Sequence, residues 1–133
     1  MLVEVIGLVV AEGGVVLAEV RTPVGAVTVK WCDEREPSLG AHQVEWELDV
    51  EFRWGQDVLR AEDRSEWLSQ NEHEIAFRGR LSLAESEPPL AHVELAGAVI
   101  DLGHVEGVPT DLSATWVELR VPSEKVALYP CLT

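Results

Sequence analysis

The chain has 133 residues, of which 24 are acidic and 10 are basic, so its formal net charge is −14 at pH 7. This length fits one domain, and we predict a single unit over residues 1–133. The acidic excess makes nucleic acid an unfavourable partner, because phosphate binding depends on clustered Lys and Arg. It favours a basic protein partner, or serves solubility alone.

The apolar runs and the cysteines bear on location. No apolar run approaches the ~18 residues of a membrane-spanning helix, and the start of the chain lacks the basic residues and cleavage site of a signal peptide. We therefore expect a cytoplasmic protein without membrane contact, in which Cys32 and Cys131 are reduced. A disulfide between them is the alternative. The many arginines relative to lysines are typical of a GC-rich bacterial genome.

The first part of the chain carries three predicted strands. Two β-branched runs, Leu2–Val10 and Val15–Val20, are separated by a pair of glycines, which predicts a hairpin. A third strand is predicted at Val24–Cys32, and the polar segment 33–40 ends it.

The clearest pattern in the chain is the strict alternation of apolar and charged residues over Val44–Trp54. Successive side chains of a strand point to opposite faces, so this segment predicts one long strand with a core face and a charged face. Four carboxylates share the charged face, and we call them the acidic row. The row consists of Glu45, Glu47, Asp49 and Glu51.

The acidic row needs an explanation, because carboxylates two residues apart on a strand lie about 6.5–7 Å apart and repel by about 0.6 kcal/mol in water. The structural explanation is that Arg78 and Arg80, on a neighbouring strand, compensate the charge. The functional explanation is that the row is left unpaired and captures a basic partner, as acidic inhibitors of nucleases and other toxins do. Metal binding is disfavoured, because residues along one strand diverge rather than converge.

The second half of the chain is also rich in predicted strands. The polar segment 56–72 is the hardest to interpret, and we allow one short helix near Asp63–Leu68. Strands are predicted at Ile75–Leu83, at Leu90–Leu102 with an interruption at Gly97, and at Val117–Val121, and Val126–Tyr129 is predicted as a short edge strand. About eight strands predict an all-β fold, either an antiparallel barrel of OB-like Greek-key type or a β-sandwich, with at most one short helix.

The chemistry-bearing residues form no recognisable catalytic pattern. No histidine, cysteine or serine lies at a metal-binding or nucleophile spacing, so we predict no catalytic residue, no metal and no cofactor. Trp46 and Trp54 fall on the core face of their strand. Trp116 falls on the polar face of its strand and is the best candidate for an interface anchor, with Trp67 as the second. Packing of Trp116 beneath the preceding loop is the alternative.

The sequence therefore predicts a non-enzymatic interaction protein, of an immunity-like or inhibitor-like kind, that binds a basic protein partner. Two alternatives remain: a small barrel that binds an apolar ligand in its interior, and an enzyme of unrecognised type. The candidate partner-binding residues are Glu45, Glu47, Asp49, Glu51, Trp116 and Trp67.

Overall fold

The computed structural model describes residues 1–112 and 115–131, and nearly all of its regular structure is β. The predicted all-β class is confirmed. The strands are β1 Leu2–Val10, β2 Val16–Thr22, β3 Gly25–Trp31, β4 Gly40–Leu48, β5 Val58–Arg60, β6 Trp67–Gln70, β7 Glu74–Leu83, β8 Leu90–Leu95, β9 Ala98–His104, β10 Trp116–Pro122 and β11 Val126–Pro130. Two single 3-10 turns lie at Glu12–Gly14 and Ser123–Lys125. The described ranges contain no helix long and apolar enough to cross a membrane.

Five of the strands close into a barrel in the order β1-β2-β3-β11-β4. The pairs are antiparallel except for β3 and β11, which run parallel. The order is the Greek-key arrangement predicted, because the last strand lies between the third and the fourth. The prediction that Val126–Tyr129 forms an edge strand is therefore wrong, since β11 pairs on both sides.

The segment between β4 and β11 forms a second sheet in the order β5-β10-β7-β8-β9, with β6 also paired to β7. Its β8–β9 hairpin turns through two residues, Ala96 and Gly97, at φ 48° and 80°. Two consecutive positive φ values are typical of the type I′ turn that suits the twist of paired strands.

The barrel and the second sheet share one hydrophobic core. The Trp46 ring on β4 meets Phe77 on β7 edge to face, with the ring centroids 5.4 Å apart. Three hydrogen bonds from β6 reach the barrel. Leu68 N–H donates to Val24 O at 3.1 Å, and the Gln70 side chain accepts from Thr28 N–H at 2.8 Å and donates to Thr28 O at 3.0 Å. The barrel interior is filled with side chains, which is the usual state of a small barrel. They include Val3, Val5, Ala18, Val20, Val27, Val29, Val44, Val126 and Leu128.

The predicted long strand over Val44–Trp54 is only partly correct. Strand β4 begins at Gly40 and ends at Leu48, where the chain turns as Val50 N–H donates to Leu48 O at 3.0 Å. Burial nevertheless continues to alternate as far as Phe52, which is buried between the exposed Glu51 and Arg53. The alternation in the sequence thus reports which side chains reach the core, and it does not report where strand pairing stops.

The short helix allowed near Asp63–Leu68 is absent, and every residue of segment 56–72 is described. The segment instead contributes β5, which pairs with β10, and β6, which pairs with β7. Both strands are too short to show a clear period in the sequence.

Gly79 on β7 lies close against the backbone of β8. A Cβ atom at this position would lie 2.7 Å from Val93 Cγ1 and would collide with the carbonyl oxygen of Glu94. We expect Gly79→Ala to lower the free energy of unfolding by about 1–3 kcal/mol, because backbone cannot move aside as a flexible side chain can. Urea denaturation of the variant measures the loss.

The matched control is Gly7→Ala on β1. A Cβ there would meet only Glu19, at 3.1 Å from its carboxylate oxygen, which is the free end of a flexible side chain, and at an ordinary 3.5 Å from its Cβ. We expect a change within about 0.5 kcal/mol for this variant. Equal losses in both variants would contradict the role given to the β7–β8 approach.

Candidate functional site

The acidic row lies on the outside of the barrel and follows β4 into the turn beyond it. Glu45 and Glu47 point outward from β4, opposite Tyr129 and Ala127 of β11. Asp49 and Glu51 lie after the end of the strand, and both are exposed. The row therefore comprises two strand carboxylates and two carboxylates in the connection.

The prediction that Arg78 and Arg80 compensate the row is wrong. Both arginines lie on β7 in the second sheet, where they pair in register with Glu118 and Trp116 of β10. The Arg78 guanidinium lies 3.7 Å from the nearest carboxylate oxygen of Glu118 and of Asp63. Strand β4 pairs only with β1 and β11, so the two arginines never face the row.

The carboxylates of the row form no ion pair within the described residues. Across residues 1–112 and 115–131, no basic nitrogen lies within 4.0 Å of any of its four carboxylates. Two basic groups near the row bind elsewhere: Arg53 Nε, two residues after Glu51, lies 3.6 Å from Glu106, and Lys30 Nζ donates to the Glu124 carbonyl at 2.7 Å. The row thus makes no direct ion pair with residues 1–112 and 115–131.

A cleft of about 520 Å³ separates β4 from β9 and brings part of the row together with other polar groups. Asp101 of β9 faces the cleft, and its Oδ1 accepts a hydrogen bond from Gly103 N–H at 2.8 Å. The cleft is lined by Glu45, Trp46, Glu47, Leu48, Asp101, Leu102, Gly103 and Tyr129. Three carboxylates and one phenol therefore surround a space large enough for a long side chain.

The sequence did not point to Asp101 or Tyr129 as site residues. The outward direction of Asp101 is readable, because its neighbours Ile100 and Leu102 are apolar. The sequence does not indicate that β9, an edge strand of the second sheet, lies beside β4 of the barrel. Tyr129 lies beside Glu45 because β11 is inserted next to β4, and the sequence alone does not indicate that insertion.

The pKa of the Tyr129 hydroxyl is raised well above its ordinary value near 10. The largest cause is hydrogen bonding to the Glu47 carboxylate, and the Cys32 thiol is the second. A phenolate here would face an existing negative charge, so the hydroxyl keeps its proton and remains a donor. Tyr129 therefore stays neutral beside Glu47 and leaves the negative charge of that carboxylate in place.

The two candidate tryptophans lie on the outer face of the second sheet, away from the cleft. The Trp67 ring stacks on the Arg78 guanidinium, with Cζ 4.8 Å from the ring centroid. Trp116 is half-buried beside Arg80 and lines a groove of about 510 Å³ with the exposed Val99. The structure thus separates Trp67 and Trp116 from the acidic row.

One row of side chains on the second sheet resembles a catalytic arrangement in composition only. Ser82, His92 and Asp101 are cross-strand neighbours on β7, β8 and β9. His92 Nε2 lies 3.9 Å from Asp101 Oδ1, which is longer than a hydrogen bond. The Asp101 side chain is 75% exposed, so water screens the pair, and no base is held against a nucleophile here.

The remaining ligating groups do not converge. Within the described ranges, no three His, Cys, Asp or Glu side chains are placed to hold a metal ion. Cys32 and Cys131 are not joined, and both are partly buried.

Comparison of the chain with protein-family models, with curated proteins and with solved structures finds no match. A barrel fold by itself does not specify a function, so the residues of the site carry that information.

The contact between Tyr129 and Glu47 can be measured directly, since Tyr129 is the only tyrosine of the chain. We expect its phenolate absorbance to titrate above the ordinary pKa in the native protein and to shift down in Glu47→Gln, because the carboxylate that opposes the phenolate is gone. The unfolded chain loses this proton at lower pH than the folded chain, so stability falls as the pH rises above about 10. Glu51→Gln removes an equally exposed carboxylate of the row and should leave the titration unchanged.

Proposed function

We propose that this protein is a non-enzymatic inhibitor-like or immunity-like protein that binds a basic protein partner through the acidic row and the cleft beside it. The single observation that carries the proposal is the missing counter-charge. Four carboxylates in sequence have no basic group within 4.0 Å among the described residues. An external cation supplies what the chain does not.

The chemistry of the cleft suits a Lys or Arg side chain. Glu45, Glu47 and Asp101 offer carboxylate oxygens from two strands, and a guanidinium can bond two such oxygens at once. Tyr129 is 41% exposed, and its ring can lie against the cation as an aromatic face. The cleft therefore favours a positively charged, flat and extended side chain. Asp49 and Glu51 extend the negative potential beyond the cleft.

The row acts first on the rate of encounter. Clustered like charges steer an oppositely charged protein and raise association rates by about 10 to 10³-fold, and salt reduces that gain. The net charge of −14 adds a weaker, less directed attraction. A binding surface of this kind predicts strong dependence on salt and on the position of the carboxylates.

The test uses two variants of equal charge as affinity baits in an extract of the native cell. The first replaces the row: Glu45→Gln, Glu47→Gln, Asp49→Asn and Glu51→Gln. We expect it to lose a basic protein that the unmodified chain retains at low salt and releases at high salt, with an association rate at least about tenfold lower for the purified pair.

The matched control replaces four exposed carboxylates outside the row and the cleft: Glu34→Gln, Glu62→Gln, Glu85→Gln and Glu124→Gln. Both variants lose four of the 24 acidic side chains. The control should retain the partner. Retention by the row variant, or equal loss in both variants, would contradict the proposal, because net charge alone would then explain the binding.

A further inference from the structure

The tip of the β1–β2 hairpin, residues Leu8–Val16, extends past the barrel as a two-stranded ribbon. Strand β4 pairs with β1 only from Leu2 to Val5, because β4 begins at Gly40 opposite Val5. Beyond that point β1 pairs with β2 alone. One edge of β1 is therefore open over its last residues.

The open edge presents a short row of unpaired backbone groups. Ala11 N–H donates to Val15 O at 2.7 Å, and the register places Val9 opposite Leu17. Antiparallel pairs alternate in direction, so the N–H and C=O of Val9 point to β2, whereas those of Leu8 and Val10 point away. In the described part of the chain, no backbone group bonds to the N–H or C=O of Leu8 or Val10 on that side.

The side chains around this edge are apolar and exposed. Val9 is 62% exposed and Val10 71%, and they lie on opposite faces of the ribbon. Leu39, the residue before β4, is 63% exposed next to the same edge. Natural sheet edges are usually protected by lysine, proline or a covering segment. None of these devices occurs over Leu8–Val10.

The low charge of the ribbon indicates what kind of partner fits it. Glu12 is the only charged residue between Val5 and Ala18, in a chain whose net charge is −14. A basic partner would gain little here, so the ribbon is not a second version of the acidic row. Two copies of this chain repel each other through their net negative charge, whereas the ribbon itself carries one acidic residue and so adds little to that repulsion.

We infer that the open edge of β1 pairs with the same edge of a second copy, antiparallel, about a two-fold axis at Val9. Leu8 then lies opposite Val10 of the second copy and Val10 opposite its Leu8. Leu8 of each copy exchanges N–H···O=C bonds with Val10 of the other copy. The unpaired backbone groups of one edge therefore satisfy those of the other. The two Val9 side chains meet directly across the axis, where cross-strand apolar pairs stabilise a sheet.

This contact is small. It joins two ribbons into one four-stranded sheet and buries less surface than a standard interface of about 800 Å² per partner. The dimer is accordingly a reversible one, populated between micromolar and millimolar concentration.

The test is sedimentation equilibrium of the full chain over that concentration range. The unmodified chain should show a monomer–dimer equilibrium that tightens as salt is added, because salt screens repulsion between acidic copies. Val9→Lys sets two lysines opposite each other at the axis and should weaken dimerisation about tenfold or more, since the change occurs twice. Val10→Pro removes only an N–H that faces the open edge, so the hairpin remains and dimerisation is lost.

The matched control is Val99→Lys on β9, another edge strand, where the valine is 65% exposed. It makes the same change of charge and should dimerise like the unmodified chain, and circular dichroism confirms the fold of each variant. A chain that is monomeric up to millimolar concentration overturns the inference. A dimer that survives Val9→Lys and Val10→Pro overturns it too. Failure here leaves the proposed binding of a basic partner standing, because that binding weakens with salt whereas dimerisation strengthens.

Discussion

The insertion of β11 between β3 and β4 is the constraint on which the rest of the structure depends. Cys32 N–H donates to Leu128 O at 2.9 Å, and Asp49 N–H donates to Lys125 O at 2.9 Å, so backbone bonds secure β11 from both neighbours. The parallel pairing with β3 requires the chain to return from a distance, because parallel strands cannot be joined by a tight turn. The whole second sheet is that return connection.

The same insertion determines the chemistry of the acidic row. Strand β4 has β1 on one side and β11 on the other, so none of its partners is an arginine-bearing strand. Repulsion between Glu45 and Glu47 is only about 0.6 kcal/mol in water, which a domain of this size tolerates. Folding thus tolerates the acidic row, but the row does not stabilise the fold. A charge pattern that folding does not require is free to serve the proposed binding of a basic partner.

Much of the fold could be predicted from the sequence because strand burial follows a period of two. The hairpin of β1 and β2 and the strands β3, β7 and β10 all carry this period. The end of β4 could not be predicted, because Val50 and Phe52 continue the alternation by packing inward from a turn. Pairing partners could not be predicted either. In the sequence, the opposite charges of Arg78 and Glu47 suggest a pair across neighbouring strands. The sheet order shows that Arg78 faces Glu118 instead.

The candidate site shows the same limit. Its two strand carboxylates are visible in the sequence, whereas Asp101 joins them through a contact between strands separated by more than fifty residues. Trp67 and Trp116 are chemically suited to an interface, but the structure places them on the second sheet, away from the acidic row. The chemical type of a side chain is visible in the sequence. Which side chains come together depends on pairing between distant strands, and no local sequence pattern indicates that pairing.

Strand β4 also explains how two surfaces of opposite character can coexist in so small a chain. Its first residue, Gly40, lies beside the open edge of β1, and Glu45 lies about 16 Å further along, at about 3.3 Å per residue. That distance is about twice the Debye length at physiological ionic strength, so the field of the row is largely screened at the ribbon. Apolar pairing at one end of β4 therefore need not oppose capture of a cation at the other. A two-fold contact through the ribbons would leave both acidic rows accessible, and two linked rows bind a partner with two basic sites more tightly than either row alone.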